Sequence, residues 1–228
     1  GFQALPFLPF AKCPVVHTSH SSLKEYEGLV DHFKNGNYVS ISNAQRTFHP
    51  DLHYVATVYH GIDTSIYKPL PDVERDYFVF LSRIMPEKGT HLAIEAAKKS
   101  GEKLIIAGNI DDRDKEYFAK EIQPHVDGVQ IQYVGPANEE EKIRLFQHAK
   151  GFLFPTQWQE AFGLVMIEAM ACGTPVVGWN KGAVSEVVIP GETGFIVSSV
   201  DEMVQGMKEI RTISRDRCRE DVQNRFSR

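Results

Sequence analysis

The sequence predicts an α/β fold: a parallel sheet with helices on both faces, preceded by a smaller α/β portion. Three observations carry this. Short apolar runs rich in Val, Ile and Phe alternate with longer helical patterns. The segments between the runs are long enough to cross over, which makes parallel pairing the natural outcome. Glycines and charges gather just after the strands, on the edge where ligands of such sheets bind.

Taken in order, the chain opens on GFQALPFLPFAKCP, which holds Pro6, Pro9 and Pro14 and lacks the layout of a signal peptide. It reads as the beginning of a cut piece. CPVVHT (13–18) predicts a strand and SSLKEYEGLVDHFKN (21–35) a helix; YVSIS (38–42) and YVATVYH (54–60) predict further strands. GIDTSIYKPLPDVERD (61–76) is rich in Pro, Asp and Gly, the composition of a linker between domains. A second series follows, with strands YFVFLSR (77–83), KLIIAG (103–108), VQIQYVG (129–135), GFLFP (151–155), TPVVGW (174–179) and GFIV (194–197). Between them lie helical patterns THLAIEAAKKS (90–100), DKEYFAKEIQPH (114–125), EEEKIRLFQHA (139–149) and FGLVMIEAMAC (162–172). The division expected is 1–62, a linker at 63–76, a main domain at 77–210 and a terminal helix over 211–228. There is no internal repeat and no low-complexity tract.

Composition removes several function classes. The 228 residues carry a net charge of −5 and a hydrophobic fraction of 42%. That balance gives no reason to expect nucleic acid as a partner. Cys13, Cys172 and Cys218 are few, odd in number and widely spaced, which speaks against a disulfide framework or a zinc knuckle and fits a reducing, cytoplasmic compartment. No apolar run reaches the length of a membrane span.

The strand exits are the residues to read. They lead into Arg83 and Lys88, into Gly108 and Asn109, into Gly135 and Pro136, into Glu160, and into Gly178, Gly182 and Glu186. Glu160 and Glu168 bracket a nearly apolar stretch, and Glu168 is the only charge between Phe162 and Cys172. Eight helical positions give about 12 Å of rise and a rotation about 80° off register. A glycosidase pair works at roughly 5–9.5 Å, so these two suit separate parts of one extended ligand. The plain alternative is an acid favoured near a helix N-terminus beside a salt-bridged one. Gly163 sits where a helix start would admit a phosphate close to backbone. Arg83 and Lys88 could clamp a diphosphate, though an Arg and a Lys five apart more often mark a solvated basic loop. No Asp-x-Asp metal signature occupies a strand exit, and Asp111–Asp112 reads as a solvated loop. The absence of G-x-G-x-x-G after a strand, and of G-x-x-x-x-G-K-[ST], disfavours a dinucleotide oxidoreductase and a P-loop enzyme.

As an ordered set, SRIMPEKG, EAFGLVMIE, EAMACGTPVVG and GETGFIV resemble the C-terminal domain of retaining GT-B glycosyltransferases of family 4, the glycosyl transferases group 1 class. The spacing from Glu160 to Glu168 matches that family's E-x7-E signature, and YHGIDTSIYKP is similar to the loop entering the domain, where the family often has Asn-Gly-Val-Asp. The resemblance covers about Ser40 to the end. It implies a Rossmann-like GT-B fold and a hexosyltransferase that uses a UDP-, GDP- or ADP-sugar without metal or other cofactor. It further implies that Arg83 and Lys88 hold the diphosphate, Glu168 the ribose and Glu160 the donor sugar. The backbone of Ala161, Phe162, Gly163 and Leu164 would cradle sugar and phosphate, with Gly108, Gly135 and Pro136 in the donor site. The family often has Gly or Pro where this chain has Ala161. PVVHTSHSS resembles the loop that presents a histidine to the cleft, which selects His20 and leaves His17 in the strand.

On this resemblance most of the acceptor-binding domain is missing, and the closing helix is cut short near VQNRFSR. The expectation is a fragment that binds donor and transfers slowly or not at all. The acceptor is unknown; a lipid-linked or membrane-peripheral one, and a complementary chain supplying the other domain, both fit. Rival readings are a non-catalytic nucleotide-sugar-binding module, a nucleotide-sugar epimerase and a sugar phosphorylase on similar architecture.

Overall fold

The computed structural model describes residues 2–20 and 27–228. Strands β1 (Val16–Thr18), β2 (Asn37–Ser40) and β3 (Tyr54–Thr57) form a small parallel sheet in that order. Helices α1 (Glu27–His32) and α2 (Asn43–Arg46) connect them. Residues 21–26 of the predicted first helix lie outside the described residues. A 3-10 helix over Phe2–Phe10, absent from the sequence reading, precedes β1 and delivers the buried Leu5 to a small core with Val30, Tyr38 and Leu52.

The second sheet has β4 (Tyr77–Leu81), β5 (Lys103–Ala107), β6 (Ile131–Tyr133), β7 (Ala149–Phe154), β8 (Val176–Trp179) and β9 (Gly194–Val197). Its order is β6-β5-β4-β7-β8-β9, with every neighbouring pair parallel. This is the doubly wound Rossmann order, which reverses between β4 and β7.

Alternation along the strands builds two cores. Phe78, Phe80 and Leu153 face one side, where α3 (Thr90–Ser100) and α8 (Val200–Glu209) pack. Val79, Phe152 and Phe154 face the other, under α5 (Glu139–Gln147), α6 (Leu164–Ala171) and α9 (Arg215–Arg225). Phe152 takes an edge-on ring contact from Phe146 at 5.5 Å and a tilted one from Phe154 at 5.7 Å. Between β5 and β6 the expected helix is broken into a single turn α4 (Lys115–Tyr117), a π-turn at Phe118–Ile122 and a 3-10 turn holding Pro124. After β8 comes the one-turn α7 (Val184–Val187).

The proline-rich segment at 63–76 is pinned down. Tyr67 is buried in the large core, and Arg219 on α9 donates to the carbonyls of Thr64 and Tyr67. Arg75 donates to the carbonyls of Leu70, Val73 and Gln147. Just before it, Ile62 donates its N–H to the Phe226 carbonyl at 2.9 Å, which ties the end of the small sheet's run to the end of α9. No described helix is long and apolar enough to cross a membrane.

Candidate active site

The crevice of an open parallel sheet lies where strand order reverses, here between β4 and β7. The exit loops of those strands are zipped together by backbone. The Glu87 carbonyl accepts the N–H groups of Gln157 at 2.8 Å and Trp158 at 3.2 Å. Gly89 has a φ of 74°, and a Cβ on it would fall 2.1 Å from the Pro155 carbonyl oxygen. Glycine alone permits that approach. The result is that Lys88 meets Glu160, Nζ to Oε2 at 2.7 Å, with side chains only 17% and 15% exposed. Salt screens so sheltered a pair far less than a surface one. Arg83 sits at the rim, half exposed, 3.7 Å from Asp111.

His20 arrives from the small sheet. Its ring stacks on His60 at 5.2 Å and 13°, and His60 stands edge-on to Phe162 at 5.1 Å. Burial, then the neighbouring His20 and Arg228, holds the His60 imidazole below its ordinary range. His17 lies buried in β1, where burial lowers it too. Phe162 is itself buried against Tyr59 and Phe226, which fixes it at the junction of the two sheets.

His20, Arg83, Lys88, Glu160 and Ala161 line one cavity of ≈ 580 Å³. An adjoining hollow of ≈ 220 Å³ takes His20, Lys88, Glu160, Phe162, Gly163 and Leu164. The N-terminus of α6 opens on it, and its N-cap Gly163, at φ 86°, supplies no side-chain cap. The positive end of that helix therefore faces the hollow, where an anion is favoured.

The remaining sequence candidates lie elsewhere. Gly108 N–H donates to the Gly135 carbonyl at 2.9 Å, and the Gly108 carbonyl accepts from Tyr133. A Cβ on Gly108 would fall 1.7 Å from the Ser82 oxygen, so backbone packing between β4 and β5 already demands a glycine there. Pro136 lines a separate groove of ≈ 600 Å³ beside α5, with Tyr77 and Arg144. Glu168 lines neither part of the cleft. Its carboxylate pairs with Lys142 at 2.9 Å and accepts from Tyr67 at 3.2 Å. Burial and the carboxylates of Glu168 and Glu139 push the Tyr67 hydroxyl up, so it stays a donor. Arg113, Trp158 and His60 are among the lining residues that sequence reasoning missed. Arg113 follows Asp111–Asp112 in a strand-exit loop, which was the available signal.

The family model described as glycosyl transferases group 1 matches residues 62–226. The chain belongs to the glycosyl transferases group 1 family. Among curated relatives it is 28% identical over 168 residues to a D-inositol 3-phosphate glycosyltransferase of Mycolicibacterium paratuberculosis, an alignment covering 67% of this chain and 38% of the relative. It is 30% identical over 168 residues to a glycogen synthase of Mycobacterium tuberculosis, covering 70% and 39%. The chain thus spans about two fifths of the length of these relatives. Two solved structures share the fold. Anabaena HepE in complex with UDP and glucose superposes with a TM-score of 0.82 at 20% identity, covering 100% of this chain and 72% of that one. Sucrose-phosphate synthase from Thermosynechococcus elongatus gives 0.83 at 20% identity, covering 97% and 66%. In this group 1 chain the family match takes in both exit loops and α6, while β1 to β3 and His20 lie before it.

Proposed function

We propose that this chain is the donor-binding part of a glycosyltransferase: it binds a nucleotide-diphosphate sugar in the cleft, and with the acceptor-binding domain supplied the sugar passes to an acceptor with retention, without a metal ion. The observation that carries the reading is the sheltered Lys88–Glu160 pair, set beside Arg83 and Arg113 where the α6 N-terminus opens. Arg83, Lys88 and Arg113, each beside a carboxylate (Asp111, Glu160 and Asp114), would turn with the helix end toward a departing diphosphate. Glu160 is an acceptor for sugar hydroxyls, and Lys88 holds it in place. In the transfer, the bond from the anomeric carbon to the diphosphate oxygen breaks. A bond to an acceptor hydroxyl oxygen forms on the same face, and the acceptor's proton leaves with the diphosphate. That a protein of the same fold holds UDP and glucose supports a UDP-sugar as the first donor to try.

A thermal-shift panel of UDP-, GDP- and ADP-sugars tests the binding. One nucleotide at a hundred times its dissociation constant should stabilise the chain by about 2.7 kcal/mol, with EDTA making no difference. No shift with any of the three at millimolar concentration would overturn the proposal. A bound donor that is never transferred, with acceptor and neighbouring domain supplied, would leave a binding module.

A further inference from the structure

The turn after β8 touches both walls of the cleft. On one wall it holds the backbone of Glu160. Gly182 N–H donates to Gln159 Oε1 at 3.0 Å, and Ala183 N–H donates to the Glu160 carbonyl at 2.8 Å. A Cβ on Gly182, whose φ is 59°, would fall 2.2 Å from that same carbonyl oxygen.

Three residues on, Glu186 reaches the other wall. Its Oε1 accepts the Ala44 N–H at 2.6 Å. Its Oε2 accepts the Asn43 N–H at 2.8 Å, the Asn43 side-chain amide at 3.0 Å and the Tyr59 hydroxyl at 2.8 Å. Asn43 and Ala44 open α2, so the carboxylate also sits at the positive end of that turn. Glu186 is itself held, because its N–H donates to Ala183 and its carbonyl accepts from Arg225, which pairs with the buried Asp221.

Every group facing the carboxylate is a donor. An acceptor-only side chain satisfies all four, whereas an amide would turn its NH2 against a donor. Charge-assisted bonds of this kind are about twice as strong as neutral ones. Nothing local in the chain explains the contact, which joins residues 142 and 143 positions apart.

From α2 the chain of contacts runs on to the cleft. Gln45, the next residue, is buried; its side chain accepts the Ile41 N–H at 2.8 Å and donates to the Ser19 carbonyl at 3.2 Å. Ser19 N–H in turn donates to the Val39 carbonyl at 3.3 Å. Ser19 immediately precedes His20.

We propose that Glu186 is a positioning residue that sets His20 against Glu160 across the cleft. One short turn, 182–186, thereby fixes both walls. The geometric claim stands on these contacts alone; its meaning for transfer rests on the donor reading above.

The test is nuclear magnetic resonance of the labelled 228-residue chain, with the His20 ring signals assigned by their loss in His20→Asn. In Glu186→Gln and Glu186→Ala the His20–His60 ring contact should be lost, with the His20 ring signals losing the shift that the stacked His60 ring imposes. Amide exchange at Ala44 should quicken about tenfold or more. The control Glu192→Gln, which breaks a surface pair with Arg217, should leave both as in wild type. Should Glu186→Ala fail to fold, Glu186→Asp keeps the charge, withdraws it by one methylene and should show the same loss. An unchanged ring contact and unchanged Ala44 exchange in Glu186→Gln would overturn the proposal. So would equal loosening in the Glu192→Gln control. A chain that binds no nucleotide would remove the donor reading and leave this test intact.

Discussion

The six-stranded sheet is covered on both faces by its own helices, whereas the three-stranded sheet gathers its described core from Leu5, Val30, Tyr38 and Leu52. The difference shows in how each holds its site residues. Lys88 and Glu160 are placed by loops that close on their own sheet, with Gly89 against Pro155. His20 is placed from outside, by Glu186 acting through α2 and by the stacked His60, itself edge-on to Phe162. A wall with a deep core carries rigid chemistry by itself. A wall with a shallow core borrows its geometry from its neighbour.

The largest expected effect breaks the deep core. Phe152→Ala should cost about 3–5 kcal/mol, while Leu5→Ala in the shallow core should cost about 2 kcal/mol. Denaturant midpoints at constant slope measure both. Hydrogen exchange should show β1 to β3 opening more cheaply than β4 and β7. A larger loss at Leu5 than at Phe152 would reverse the ranking.

A smaller effect is expected at Glu168, which joins α6 to α5 through Lys142 and is mostly buried. Glu168→Gln should destabilise by about 1–3 kcal/mol. Its carboxylate is held by Lys142 and Tyr67 outside both hollows of the cleft; were it the ribose ligand that the family resemblance implies, affinity for a nucleoside diphosphate would fall while affinity for inorganic diphosphate stayed level. Calorimetry showing equal losses for both would mean that the α5–α6 contact had collapsed and that Glu168 has no part in binding.

The smallest effect is one of pH. Burial, His20 and Arg228 lower the folded-state pKa of His60 from its ordinary 6.5. The unfolded chain therefore binds more protons below that value, and the His60 contribution to stability, intact above it, is lost as pH falls from there through the lower folded-state pKa. Thermal midpoints between pH 7 and pH 5 should drop less steeply in His60→Asn than in wild type. Parallel curves would show that His60 does not titrate with folding.

Much of the fold was legible where local rules are strong. Helix α3 falls on Thr90–Ser100 as read, because Gly89 and Gly101 bound it with positive φ at both ends. Strands β4 to β9 were legible from alternating apolar runs that feed two cores. Helix α8 was not read, although Ser199 and Glu202 carry its capping signal: Ser199 accepts the Glu202 N–H, and Glu202 accepts the Ser198 N–H. The one-turn helices α2 and α7 have no periodicity to read. In the cleft, Arg83, Lys88 and Glu160 could be named from strand exits. Arg113 carried the same strand-exit signal, whereas Trp158 and His60 carried none, because only the closing of loops from separate elements brings them to the cleft. Glu186 was visible as an exit residue, but its partners lie on α2 and just after β3, beside the other sheet.

The contrast between a self-sufficient wall and a borrowed one is tested most directly by calorimetry with the nucleoside diphosphate that the thermal panel selects. The measurement compares wild type with Arg83→Ala, Lys88→Ala and His20→Ala. Loss of a charge-assisted contact should weaken binding by about 1.5–3 kcal/mol in each of the first two, and His20→Ala should stay close to wild type, since the large sheet grips the diphosphate without it. Unchanged affinity in Arg83→Ala and Lys88→Ala, or a loss in His20→Ala as large as theirs, would contradict the account.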